Sequence, residues 1–118
     1  MKIYSMNYKI KVYRCFEKEV KKLSKRYKSL KQDLLALSAE LLENPEKGVD
    51  LGNGLHKVRM SISSKGKGKS AGARIITLIV TLSDEEKEIG LHYIYDKSDR
   101  ESLTDKELRN ILKENGSV

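Results

Sequence analysis

The sequence predicts one α+β domain in which helices cover one face of an antiparallel sheet. Three observations predict it. At 118 residues the chain is one domain long and can bury one core of modest size. Apolar residues alternate in some segments and recur at helical spacing in others, so both element types are present. The segments follow the order β-α-α-β-β-β-α. This places the first strand at a sheet edge, two N-terminal helices on one face, and a helix at the C-terminus.

Residues 8–14 alternate, with Tyr8, Ile10 and Val12 on one side, and read as the first strand. Phe16, Val20, Leu23 and Tyr27 then recur at helical spacing, while Lys18, Lys21, Lys22, Lys25 and Arg26 occupy the other faces. Ser29 and Gln32 have capping-box spacing and open a second helix with Leu30, Leu34, Leu37 and Leu41 along its core stripe. Asn44-Pro45 stops that helix, because proline pushes the residue before it out of the helical region. Residues 46–54 read as a loop. From Leu55 to Ile62 the pattern alternates again, with Val58, Met60 and Ile62 on one face and Lys57, Arg59 and Ser61 on the other. Residues 63–72 form a flexible basic loop. Ala73 to Leu82 is almost continuously aliphatic or β-branched, as suits a central strand. Residues 83–86 turn the chain into a last strand, Glu88 to Tyr95; His92 there is a candidate general acid or base, but the alternation pairs it with Ile94 on the helix-covered face, which favours a core histidine. Thr104 and Glu107 form a second capping box, and Leu108, Ile111 and Leu112 give the closing helix its buried side. No internal repeat or second domain interrupts residues 1–118.

Charge narrows the function. The net +7 resolves into +9 over residues 1–31, −4 over 32–56, +6 without a single acid over 57–74, and −4 over 75–118. Two concentrated basic blocks suit a polyanion, since each cation that meets a phosphate releases counterions. The same blocks also fit the solvated surface of an ordinary basic protein. No run approaches the ~18 apolar residues that span a bilayer, and the N-terminal stretch has no apolar signal core. Cys15, the one cysteine, has no internal partner, so a reducing cytoplasm is the expected compartment and Cys15 is expected to be structural.

Gly68-Lys69-Ser70 invites a nucleotide-binding reading, but Ser63 stands where the phosphate loop needs its first glycine, and a strand follows where a helix should. The better reading is a mobile arm. Gly66, Gly68 and Gly72 let Lys65, Lys67 and Lys69 follow a phosphate chain, unless the segment is simply a solvated hairpin loop. Lys57 and Arg59 share a strand face, Arg74 opens the neighbouring strand, and Lys97 follows the last one. These four can converge on the open face, or remain separate exposed cations. Cleaving RNA without a metal requires activating a 2′-hydroxyl, stabilising the phosphorane and protonating the departing 5′-oxygen. Arginines supply bidentate donors to phosphate oxygens, and a lysine among other cations gives up its proton more readily. Tyr95, beside Lys97, is the candidate for base stacking. No cysteine or histidine spacing supports a metal site, and no cofactor is implied.

Taken together, several segments resemble the RelE/ParE toxin superfamily, most closely its HigB-like members. They are Asn44-Pro45-Glu46-Lys47-Gly48, Leu55-His56-Lys57-Val58-Arg59, Gly66 through Ile76, and Ile94-Tyr95-Asp96-Lys97-Ser98-Asp99 followed by Leu103-Thr104 and Glu107-Leu108. The resemblance runs from about residue 8 to about residue 113. It implies a microbial-ribonuclease-like sheet and cleavage of mRNA in the ribosomal A site. It also implies neutralisation by a cognate helix-turn-helix-type antitoxin, through which alone operator DNA would be met. On the matching positions Lys57, Arg59, Arg74 and Lys97 are the catalytic cations, with Lys69 assigned by its place in the loop. Lys21, Lys22 and Lys25 would contact ribosomal RNA, and Lys65, Lys67 and Tyr95 the message. Many ribonuclease members carry a tyrosine a few residues after the last basic position, whereas residues 98–103 here contain no aromatic. The superfamily also includes toxins of the ParE kind that bind DNA gyrase without cutting RNA, and an inactive antitoxin-binding relative would share the fold.

Overall fold

The computed structural model describes residues 6–66 and 68–117. Its elements are β1 (Asn7–Val12), α1 (Arg14–Arg26), α2 (Leu30–Glu43), β2 (Val49–Gly52), β3 (Leu55–Met60), β4 (Ala73–Thr81), β5 (Glu86–Asp96) and α3 (Asp105–Glu114). Single 3-10 turns at Ser63–Lys65 and Lys69–Ala71 lie in the β3–β4 connection. The five strands form one sheet in the order β1-β5-β4-β3-β2, so the α+β class and the edge position of β1 hold.

Two features of the sheet correct the expectation. β1 runs parallel to β5, from Asn7 opposite Glu86 to Val12 opposite Leu91, so the sheet is mixed rather than antiparallel throughout. Parallel neighbours need a long crossover, and here the whole intervening chain supplies it. The stretch 46–54, read as a loop, contains β2. All four β2 residues are exposed, so no alternation marks it. It is held as the outer half of a hairpin turned by Gly52, Asn53 and Gly54, all at positive φ.

The core lies between the sheet and the two N-terminal helices. Val58 and Met60 of β3, Ala73 and Ile75 of β4, and Ile89, Leu91 and Ile94 of β5 meet Phe16 and Leu23 of α1 and Leu30, Leu37 and Leu41 of α2. Spacings of two along β3 and β4, and of four or seven along the helices, place them on shared faces, and a bulge in β5 keeps Leu91 and Ile94, three apart, on the same face. The α3 capping box forms as expected. Thr104 accepts from the Glu107 amide at 3.1 Å, and Glu107 accepts from the Thr104 amide at 2.9 Å. The one expected at Ser29 does not form. Ser29 is already helical (φ −83°, ψ −5°), and its hydroxyl donates instead to the Asp33 carboxylate at 2.7 Å. Asp33 also accepts from the Ser63 amide at 2.9 Å, so the first turn of α2 holds the β3–β4 connection.

His92 is buried as expected, but on a different face. Ile76 stands opposite Tyr93 and Thr77 opposite Leu91, which leaves His92 as the extra residue of a β-bulge. The bulge takes it off the face of Ile94. Its ring is fully buried, stacked on Tyr13 with centroids 4.1 Å apart, and Asn115 donates to its Nδ1 at 2.9 Å. Burial pulls its pKa down to about 4, so it is neutral near pH 7.

Candidate nucleic-acid interface

Strand register assembles the cationic residues. Arg59 pairs with Arg74 and Arg74 with Tyr95, while Lys57 pairs with Ile76 and Ile76 with Tyr93. Because Val58 and Met60 enter the core, Lys57 and Arg59 point to the side that α1 and α2 leave uncovered. The 3-10 turn Lys69–Ala71 then brings Lys69 beside them. Lys57, Arg59 and Lys69 line one pocket of about 210 Å³ with Lys47, Gly48, Val49 and Val58, and no carboxylate lines it. Arg59 and Lys69 also line a neighbouring pocket of about 220 Å³, to which α2 contributes Asp33 and Glu40.

Lys47 is the residue that sequence reasoning missed. It sits in the acid-rich segment and its charge is shared with Glu40 at 3.0 Å. Its signal was the glycine after it. Gly48 has φ +99°, and a Cβ there would lie 2.4 Å from the Lys57 carbonyl oxygen. Only glycine lets the backbone pass so close to β3, and this closeness delivers Lys47 to the pocket.

The remaining candidates are distributed differently from the expectation of one convergent cluster. Arg74 is only 5% exposed, and its guanidinium donates to the carbonyls of Lys69 and Ser70, both at 3.0 Å, and of Ala73 at 3.2 Å. Burial, reinforced by the charge of Arg59, lowers its pKa. Arg74 therefore holds the Lys69 turn from beneath. The Lys97 ammonium donates to the Glu101 carbonyl at 2.9 Å, away from the pocket. Lys65 is drawn inward onto Asp96 at 2.6 Å, which corrects the reading of it as a free cation on a mobile arm. Tyr95 is 4% exposed with Arg100 6.0 Å from its ring centroid, so its face is covered rather than offered for stacking. Lys67 lies outside the described residues. Lys21, Lys22 and Lys25 are exposed along α1, with Lys22 3.4 Å from Glu19. Cys15 is buried, and burial together with the Glu114 carboxylate raises its pKa, which leaves it an inert thiol. Among the described residues no helix is long and apolar enough to cross a membrane.

The fold is thus a small α+β domain with α1 and α2 on one face of a mixed sheet and a cluster of cations beside β3. The family model for the RelE toxin of the RelE/RelB toxin–antitoxin system matches residues 10–117, and the chain belongs to this family of toxins.

Proposed function

We propose that the chain is a HigB-like endoribonuclease that cuts mRNA in the ribosomal A site in the cytoplasm, until a cognate helix-turn-helix-type antitoxin neutralises it. The observation that carries the reading is the pocket lined by Lys57, Arg59 and Lys69, with Lys47, itself paired with Glu40, at its side. A scissile phosphate seated there meets positive charge from β3, from the Lys69 turn and from the segment before β2. The reaction needs no metal, and like charges at this density disfavour one. The 2′-oxygen attacks phosphorus, the bond to the 5′-oxygen breaks, and the products carry a 2′,3′-cyclic phosphate and a 5′-hydroxyl. Arg59 grips the equatorial oxygens as a fork, while Lys57 and Lys69 serve proton transfer and charge neutralisation. Arg74 sets the Lys69 turn, and Lys97, outside the pocket, meets the flanking backbone. Lys21, Lys22 and Lys25 dock the exposed face of α1 on ribosomal RNA.

Inducing the protein and mapping mRNA 5′ ends tests the reading. Discrete cuts within translated messages are expected, and Lys57→Ala or Arg59→Ala should reduce them on the order of a hundredfold, the usual effect of removing one transition-state donor. Intact mRNA with an induced DNA-damage response would assign the toxin to gyrase instead. Undiminished cutting by the double variant would remove the pocket from the mechanism.

A further inference from the structure

Among the described residues outside the cation pocket, a dense polar arrangement surrounds Asp96, the last residue of β5. It is 1% exposed and accepts four bonds. Oδ1 receives the Lys65 ammonium at 2.6 Å and the Ser98 amide at 2.9 Å, and Oδ2 receives the Tyr27 hydroxyl at 2.5 Å and Arg26 at 3.1 Å. The Lys65 side chain is itself only 9% exposed. Burial alone would raise the Asp96 pKa, but the bonds from Lys65, Tyr27 and the Ser98 amide hold it well below the usual carboxylate range. Asp96 thus ties together the end of α1, the turn at Ser63–Lys65, the end of β5 and the turn that follows it.

Those attachments bracket the glycine-rich arm. The arm follows the Ser63–Lys65 turn, and it returns to the sheet where the Gly72 carbonyl accepts from the Lys97 amide at 3.0 Å. Both ends therefore hang on consecutive residues, Asp96 and Lys97. Near the returning end Arg74 holds the carbonyls of Lys69 and Ser70. A buried ion pair seldom stabilises a fold more than well-packed apolar residues do, and its best-attested use is to specify geometry. A loop that only had to join two strands would need none of this.

We propose that Asp96 is a positioning residue: paired with Lys65, it anchors the outgoing end of the glycine-rich arm and so sets where Lys69 stands beside Lys57 and Arg59. The catalytic consequence rests on the ribonuclease reading, whereas the anchoring does not. Asp96→Asn alone leaves an ammonium in a nearly dry site, so loss of fold is a hazard of that variant. Lys65→Met leaves Asp96 three donors, and the double variant Asp96→Asn/Lys65→Met removes both charges.

The test compares wild-type protein, Lys65→Met, the double variant and Lys65→Arg in the full chain. Thermal unfolding first identifies the variants that remain folded. Amide exchange at residues 68–72 then reads the arm, and ribosome-dependent cleavage reads the chemistry. The expected result is folded Lys65→Met and double variants whose arm amides exchange at least tenfold faster. Their kcat should fall at least tenfold with KM changed less than twofold, and Lys65→Arg should restore both readings. Wild-type exchange rates in a folded variant lacking the pair would overturn the proposal. So would a loosened arm with unchanged kcat. If wild-type protein binds ribosomes but cuts nothing, the ribonuclease reading fails, and the exchange rates alone still decide the anchor.

Discussion

Lys65 and Lys69 stand four residues apart on one glycine-rich connection, and their surroundings divide their roles. Lys65 meets a carboxylate that lies 31 residues further along the chain, while Lys69 is left exposed at the pocket. Composition could not separate two lysines so alike, because the deciding partner is distant in sequence. Lys57 and Arg59 were legible because strand alternation alone puts them opposite Val58 and Met60. Two residue-scale predictions follow from close approach and burial. Gly48→Ala should destabilise the fold by about 1–3 kcal/mol, because the site requires positive φ and the new Cβ meets the Lys57 carbonyl. Chemical denaturation measures that loss, and a wild-type midpoint would contradict it. His92 sets a pH dependence. Burial holds its folded pKa near 4, below the ordinary imidazole value of 6.5, so its contribution is full above pH 6.5. As pH falls the unfolded chain takes the proton first, and about 3 kcal/mol of stability drains away between pH 6.5 and 4. His92→Gln should flatten that slope in denaturation series, while an unchanged slope would assign it to other groups. Asp96, also depressed, acts only at more acidic pH, as it falls through the ordinary carboxylate range.

Elements with a strong period were legible from the sequence, and elements defined by pairing were not. The helices announced themselves through Phe16, Val20, Leu23 and Tyr27, and through Leu30, Leu34, Leu37 and Leu41. β4 did so through a continuous aliphatic run. β2 was invisible because Val49, Asp50, Leu51 and Gly52 are all exposed at an edge and show no inside and outside. The parallel pairing of β1 with β5 was equally hidden, since alternation records faces and not neighbours. The bulge at His92 inserts one residue and reverses the face of what is counted across it, so a correct strand yielded the wrong side for His92 and for Leu91, which shares the core with Ile94. Helix capping is the element-scale feature where prediction and structure can be weighed energetically. Thr104→Ala breaks the reciprocal capping box of α3 and should cost about 1 kcal/mol. Its effect should extend beyond α3, because Asn115, at that helix's C-terminal end, bonds both the Cys15 amide and His92. Faster amide exchange at the start of α1 in Thr104→Ala would show this coupling, and exchange confined to α3 would refute it.

At the scale of the molecule, the net charge of +7 matters less than its division into structural and available cations. The block from Lys57 to Arg74 contains no acid in sequence, yet folding commits Lys65 to Asp96 and Arg74 to backbone carbonyls, leaving Lys57, Arg59 and Lys69 facing one pocket. Folding also recruits Lys47 from the acid-rich segment. The basic face of α1 lies apart from this pocket, with Lys21 set in a wide apolar groove between α1 and α2. Under the proposed function docking and chemistry would occupy different surfaces, and Lys21→Ala/Lys25→Ala should weaken ribosome association and its salt dependence without changing the sites of cutting. Sedimentation with ribosomes across a salt series checks this, and unaltered binding would place docking elsewhere. On the proposed function, the cation pocket promotes attack of the RNA's own 2′-hydroxyl on the scissile phosphate. The most direct measurement is the end chemistry of message cut by purified protein on a programmed ribosome. A 2′,3′-cyclic phosphate upstream and a 5′-hydroxyl downstream, both absent with Lys57→Ala/Arg59→Ala, are the predicted result, whereas a 3′-hydroxyl and a 5′-phosphate would contradict it.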